Sequence, residues 1–155
     1  PGGLDALASI GDVVLENGVV RAVIDDIAHP HYVAPSGGNL LDLVSAANDD
    51  DSLTNMFQAV GLLPGDSVLY ERMTLENGDG FAAVQVHGVL DGFPGVRVAT
   101  RYEIRPCEPG IRVRTEIVNR GKRVASMESS VYAGEALVAK ASGTYSIFTP
   151  AGNAA

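Results

Sequence analysis

One stretch, Val96 to Asn119 (VRVATRYEIRPCEPGIRVRTEIVN), constrains the fold more than any other part of the chain. Its first arm places Val96, Val98, Thr100, Tyr102 and Ile104 at every second position, and its second arm does the same with Ile111, Val113, Thr115 and Ile117. Successive side chains of a strand point to opposite faces, so each arm presents one apolar and one polar side. Between them lies Pro106-Cys107-Glu108-Pro109-Gly110. Its prolines cannot donate to a sheet ladder, and Gly110 tolerates positive φ, so the chain is expected to reverse there. The spacing predicts a β-hairpin with one half-buried face, which puts the chain in the antiparallel β class.

The remaining segments agree with that class. Val13 to Ile24 reads as two strands around Asn17-Gly18, the pair that a type I′ turn favours. Gly37-Gly38 allows a sharp turn into a short buried strand beginning near Asn39. Further strands are expected over 68–77, 81–90 and 124–132, with 134–149 loop-like and holding one or two short strands. Asp50 or Asp51 is placed to cap a short helix through Ser52 to Gln58. Eighteen glycines and eight prolines spaced among valine-rich runs suit many short strands joined by turns. The expected fold is therefore all-β, an antiparallel β-sandwich of roughly 8–10 strands with at most one short helix, because two half-buried sheets must cover each other. Residues 1–10, with Gly2 and Gly3, are expected to form a flexible N-terminal segment. Residues 11–150 then make a single β-sandwich domain, and the opening Pro1 is expected of a piece of a larger protein.

Charge is unevenly distributed. The formal net charge of −8 argues against a general nucleic-acid partner, and no apolar run reaches the roughly 20 residues of a membrane helix. Eight of the eleven basic residues lie between Arg97 and Arg123 with three acids, so that segment carries +5 and the remainder −13. One reading is a solvated sheet face with Arg–Glu pairs through Glu103 and Glu116. The other is a patch for an acidic sugar or another anionic partner, with Arg101, Arg112 and Arg114 as its ligand-binding residues. His29-Pro30-His31-Tyr32 is a second candidate, a ligand-contacting loop weighed against an ordinary surface loop. No metal site is assigned to it, because Pro30 separates the rings and no matched acid lies nearby. Asp49, Asp50 and Asp51 lack the alternating oxygen ligands and glycine of a calcium-binding loop, although calcium stays open for them. His87, in mid-strand, reads as a packing residue more readily than a catalyst. Cys107 is the only cysteine, which excludes an internal disulfide. No cofactor is called for.

Three segments together, LENGVVRAVID, SGGNLLDL and VRVATRYEIRPCEPGIRVRTEIVNRG, resemble the opening of galactose-mutarotase-like supersandwich domains, over residues 11–134. The chain also resembles domains that precede metal-dependent hydrolase modules in large bacterial proteins, through Gly134-Glu135-Ala136-Leu137 and Phe148-Thr149-Pro150-Ala151-Gly152. Any such module would lie outside this chain. Active sugar epimerases of that fold place Asn-His-x-Tyr after the long hairpin, where this chain has Ser129-Ser130-Val131-Tyr132. Ser130 stands in place of the general acid, and a serine hydroxyl does not donate a proton near neutral pH as an imidazolium does. The resemblance thus implies a scaffold without catalytic residues: an accessory domain of an extracytoplasmic or secreted protein, with carbohydrate as its candidate partner. A sugar-active enzyme fragment of epimerase or lyase type is the alternative. So is a structural module that forms a homodimer through an edge strand. The absence of tryptophan and the scatter of five tyrosines and four phenylalanines count against a sugar site built on ring stacking.

Overall fold

The computed structural model describes residues 1–51, 53–59, 66–118, 124–133 and 136–146, the last two segments by their backbone. Among the described residues nine strands form two sheets: β1 (Val13–Glu16), β2 (Val20–Ile24) and β3 (Leu40–Ser45) in one, and β4 (Val68–Gly78), β5 (Phe81–Leu90), β6 (Phe93–Ile104), β7 (Ile111–Val118), β8 (Val124–Ala133) and β9 (Ala136–Ser146) in the other. The small sheet has the order β1-β2-β3 and the large one β4-β5-β6-β7-β9-β8. The architecture is all-β and sandwich-like, as the alternation requires.

The β6–β7 hairpin forms in the expected register, with Val98 opposite Ile117, Thr100 opposite Thr115 and Tyr102 opposite Val113. These six residues are buried, and their apolar members join Leu15, Val20, Ala22, Ile24 and Leu40 of the small sheet in one core. The two threonines on this otherwise apolar face are accounted for by a hydroxyl chain. Tyr70 Oη lies 2.5 Å from Thr100 Oγ1, which lies 2.9 Å from Thr115 Oγ1, so three buried hydroxyls satisfy one another across β4, β6 and β7.

Several local readings are corrected. In the hairpin turn the positive φ belongs to Cys107 (61°), not to Gly110. At the β1–β2 turn only Gly18 has positive φ, so it is not a type I′ turn, which needs both central residues there. Asn17 instead accepts the N–H groups of Val19 and Val20 on its side-chain oxygen, each at 2.9 Å. Its amide nitrogen donates to the carbonyls of Arg105 and Glu108, so one side chain fastens the small sheet's turn to the large sheet's hairpin turn.

No helix occurs among the described residues. Residues 53–59 run extended instead, with Met56 bridged to Leu40 and Ala59 to Ser67. Asp51 caps nothing; its Oδ1 accepts the N–H groups of Leu43 and Leu53. The stretch expected to be loop-like after Gly134 contains the eleven-residue β9, which runs parallel to β7 while every other strand pair is antiparallel. Residues 1–10, expected to be flexible, are tied down at two points. Gly2 pairs through its backbone with Asp49 and Asp51, and both oxygens of Asp42 accept N–H groups, from Leu7 and Ala8. Gly134, Glu135 and the segment 148–152 lie outside the described residues.

Candidate functional site

The large sheet turns one face to the core and the other outward, and the outward face carries the arginines. Strand register brings them into rows. Arg101 lies opposite Gln85 on one side and Arg114 on the other, and Glu103 lies opposite Arg112. Two arginines directly opposite repel unless carboxylates intervene. Here they do: Arg101 reaches Glu76 at 2.5 Å and Glu103 at 3.1 Å, while Arg105 reaches the other oxygen of Glu103 at 2.6 Å. Glu76 extends from β4 across β5 because the intervening residue, opposite it in register, is the small Ala83. Burial works to raise the Glu103 carboxyl, but hydrogen bonds from Arg105 and Arg101 outweigh it and hold the group below the usual carboxylate range. Arg112 pairs with Glu108 at 2.5 Å and Arg114 with Glu116 at 2.6 Å. The three arginines expected to bind a ligand are therefore each engaged by a carboxylate of the same chain, and Arg101 also stacks over Phe81, 5.0 Å from the ring centroid.

The opposite end of the same face is built differently. There Arg72, His87, Ala99 and Glu116 occupy one row across β4, β5, β6 and β7, and Arg97 lies one step along β6, opposite Val89. These residues, with Glu71, Gln85 and Pro94, line a groove of about 660 Å³. Ala99 and Gly88 leave its floor low. Gly88 is also required by the backbone, since a Cβ there would meet the Leu69 carbonyl oxygen at 1.9 Å, beside the register shift between Tyr70 and Arg72. Arg72 and Arg97 make no ion pair among the described residues. Partial burial, helped by the Arg72 charge, lowers the pKa of His87 against a smaller opposing pull from Glu76. The groove thus offers two uncommitted guanidinium groups, an imidazole biased toward its neutral form and the carboxylates of Glu71 and Glu116 as acceptors.

The His29–Tyr32 loop is a separate place. His29 lies 3.5 Å from Asp26 and is exposed, and Tyr32 is exposed with φ of 52°. His31 turns inward, with Nδ1 3.7 Å from Oδ2 of Asp25. Asp25 is fully buried; its Oδ1 accepts the Asn39 N–H, while Oδ2 and His31 Nδ1 have no hydrogen-bond partner among the described residues. Burial raises the Asp25 carboxyl to about 6, against the Asn39 hydrogen bond and His31, with Asp12 adding to the rise. The Asp25 backbone holds both sides of the loop, donating to the Asn39 carbonyl and accepting from Gly38. With no exposed atom on Asp25, this pair closes a loop and presents no carboxylate to a substrate.

The acidic run serves the backbone. Asp49 meets Arg21 at 2.6 Å, Asp50 bridges Gly2, and Asp51 accepts two N–H groups, so the three point to different partners. Among the described residues no group of three or more His, Cys, Asp or Glu is arranged to hold a metal ion. No helix among them is long and apolar enough to cross a membrane.

Sequence reasoning missed Arg72, Arg97 and Asp25. Arg97 precedes Ala99 and Arg101 on the polar side of the alternation, so the pattern does place it on the outer face. Which arginines are neutralised there depends on register between strands far apart in the chain. Comparison with protein-family models, with curated proteins and with solved structures finds no match to this chain.

Proposed function

We propose that this chain is a non-catalytic β-sandwich module that binds an acidic carbohydrate in the outer groove of its large sheet. The observation that carries the reading is that Arg72 and Arg97, alone among the described arginines, lack a carboxylate partner and line one groove. Arginine presents a planar fork of donors that matches a carboxylate or sulfate group. Beside it, Glu71, Gln85 and Glu116 supply acceptors for hydroxyl groups. Acceptors and cations together suit a polyhydroxylated ligand with one anionic group better than a bare anion. His87 adds a donor and acceptor in its neutral form.

An open groove without ring stacking supports weak binding, with Kd on the order of 0.1–1 mM. Calorimetric titration with a uronic-acid oligosaccharide and with its methyl-esterified, neutral counterpart tests the reading. The acidic sugar is expected to bind and the ester not. Equal affinity for both, or none for either, would remove it.

A further inference from the structure

The outer side of β4 has a property that the groove does not use. Val68 and Tyr70 direct their outward N–H groups to the Gln58 carbonyl and to Ser36 Oγ. Beyond the register shift at Tyr70/Arg72 that cover ends: among the described residues nothing pairs with the outward edge of residues 71–78. Antiparallel ladders alternate, so the free backbone groups on this edge belong to Met73, Leu75 and Asn77. Leu75 is 63% exposed on the same face of β4 as Met73, which packs against the core. Edge strands are usually blunted by proline, charged side chains or bulges, and residues 73–75 carry none of these.

We infer that β4 pairs with β4 of a second copy of this chain, antiparallel about a two-fold axis through Thr74, joining two large sheets into one. The sequence of the edge selects both partner and register. Around Thr74 the residues read Arg72-Met73-Thr74-Leu75-Glu76. A two-fold there sets Arg72 opposite Glu76 of the second copy twice and Met73 opposite Leu75 twice, with the charges on one face and the apolar pairs on the other. Centred on Met73 instead, Arg72 would face Thr74 and Leu75 would face Glu71. Centred on Leu75, Arg72 would face Gly78 and Met73 would face Asn77. Only the Thr74 register matches charge with opposite charge and apolar with apolar, as an isologous contact requires. It also gives the outward N–H and C=O groups of Met73 and Leu75 partners in each other.

So short a contact lies below the ~1,200 Å² of stable interfaces, so the association is of the weak class, with Kd between ~10 μM and ~1 mM. Light scattering and sedimentation across that range are expected to show a concentration-dependent dimer. At the two-fold, Thr74 and its mate form a pair without backbone hydrogen bonds, with Cα atoms ~4.5 Å apart, inside the reach of a disulfide. Thr74→Cys in a Cys107→Ser background should therefore cross-link under mild oxidation, whereas Gln85→Cys in the same background should not. Leu75→Lys, at an exposed position, should keep the fold by circular dichroism and weaken dimerisation at least tenfold. A protein that stays monomeric to ~1 mM overturns the inference. So does a dimer that neither cross-links through position 74 nor responds to Leu75→Lys, since another surface would then hold it. These variants leave Arg72 and Arg97 unaltered, so failure here and failure of the sugar reading are separate results.

Discussion

The two faces of the large sheet handle polar groups in opposite ways. On the inner face the hydroxyls of Tyr70, Thr100 and Thr115 are closed into a chain away from water. On the outer face most arginines are closed against carboxylates, yet among the described residues Arg72 and Arg97 are not. A buried polar group without a partner costs ~1–3 kcal/mol, whereas an exposed guanidinium is hydrated and costs little. The inner face therefore closes these three hydroxyls on one another, leaving the buried Tyr102 hydroxyl without a partner among the described residues, while the outer face is free to keep two cations open. Stability should depend on the first arrangement and recognition on the second.

The largest expected effect breaks the inner face. Thr100→Val removes the central hydroxyl and leaves those of Tyr70 and Thr115 without their shared partner. It is expected to lower unfolding free energy by about 3 kcal/mol in urea denaturation, with ligand affinity unchanged at temperatures where the variant is folded. Next comes the buried carboxyl of Asp25. Its folded pKa of about 6 stands above the ordinary 3.8, so between these values the folded protein holds more protons than the unfolded chain. Stability from this group is thus greatest below pH ~4 and falls as pH rises through ~6, by on the order of 2 kcal/mol. Asp25→Asn keeps an acceptor for the Asn39 N–H and removes the charge. Urea midpoints measured from pH 4 to 7 should fall less steeply for the variant than for the native protein, and parallel curves would show that Asp25 does not titrate in this window.

On the outer face the effects are smaller and separate cleanly. Arg97→Ala should weaken binding of the uronic-acid oligosaccharide about tenfold, near 1.4 kcal/mol, with melting temperature unmoved. Arg101→Ala should do the reverse: affinity unchanged, and stability lower by about 1 kcal/mol or less, since its ion pairs are partly exposed. An Arg101 variant that loses binding while Arg97→Ala does not would place the ligand at the wrong end of the face.

How far the sequence discloses this depends on the range of the interaction. Period-two alternation from Val96 to Ile117 is local, and it reports the hairpin, its buried face and the fold class. The Gly37-Gly38 turn is legible for the same reason: a Cβ on Gly37 would meet the Asp26 carbonyl oxygen at 1.8 Å, and Gly38 has φ of 87°. Turn detail is less legible, because Cys107 adopts the left-handed conformation although a glycine lies three residues on. The helix expected after Asp51 gives way to tertiary pairing, with Met56 bonded to Leu40 across the fold. β9 escapes notice because its valine-poor sequence, with Gly143 inside it, reads as loop, and its parallel partner β7 lies far along the chain. The proposed binding residues are the least legible. Arg101, Arg112 and Arg114 look equivalent to Arg97 in a charge count, and only the reach of Glu76 over Ala83, with Glu103, Glu108 and Glu116, tells them apart.

The most direct test of the central claim is to follow the arginine Nε–H resonances in a ¹⁵N-labelled sample during titration with the uronic-acid oligosaccharide. Arg72 and Arg97 are predicted to shift in proportion to saturation, while Arg101, already held by Glu76 and Glu103, stays in place. Shifts at Arg101 or Arg112 with none at Arg97 would contradict the account.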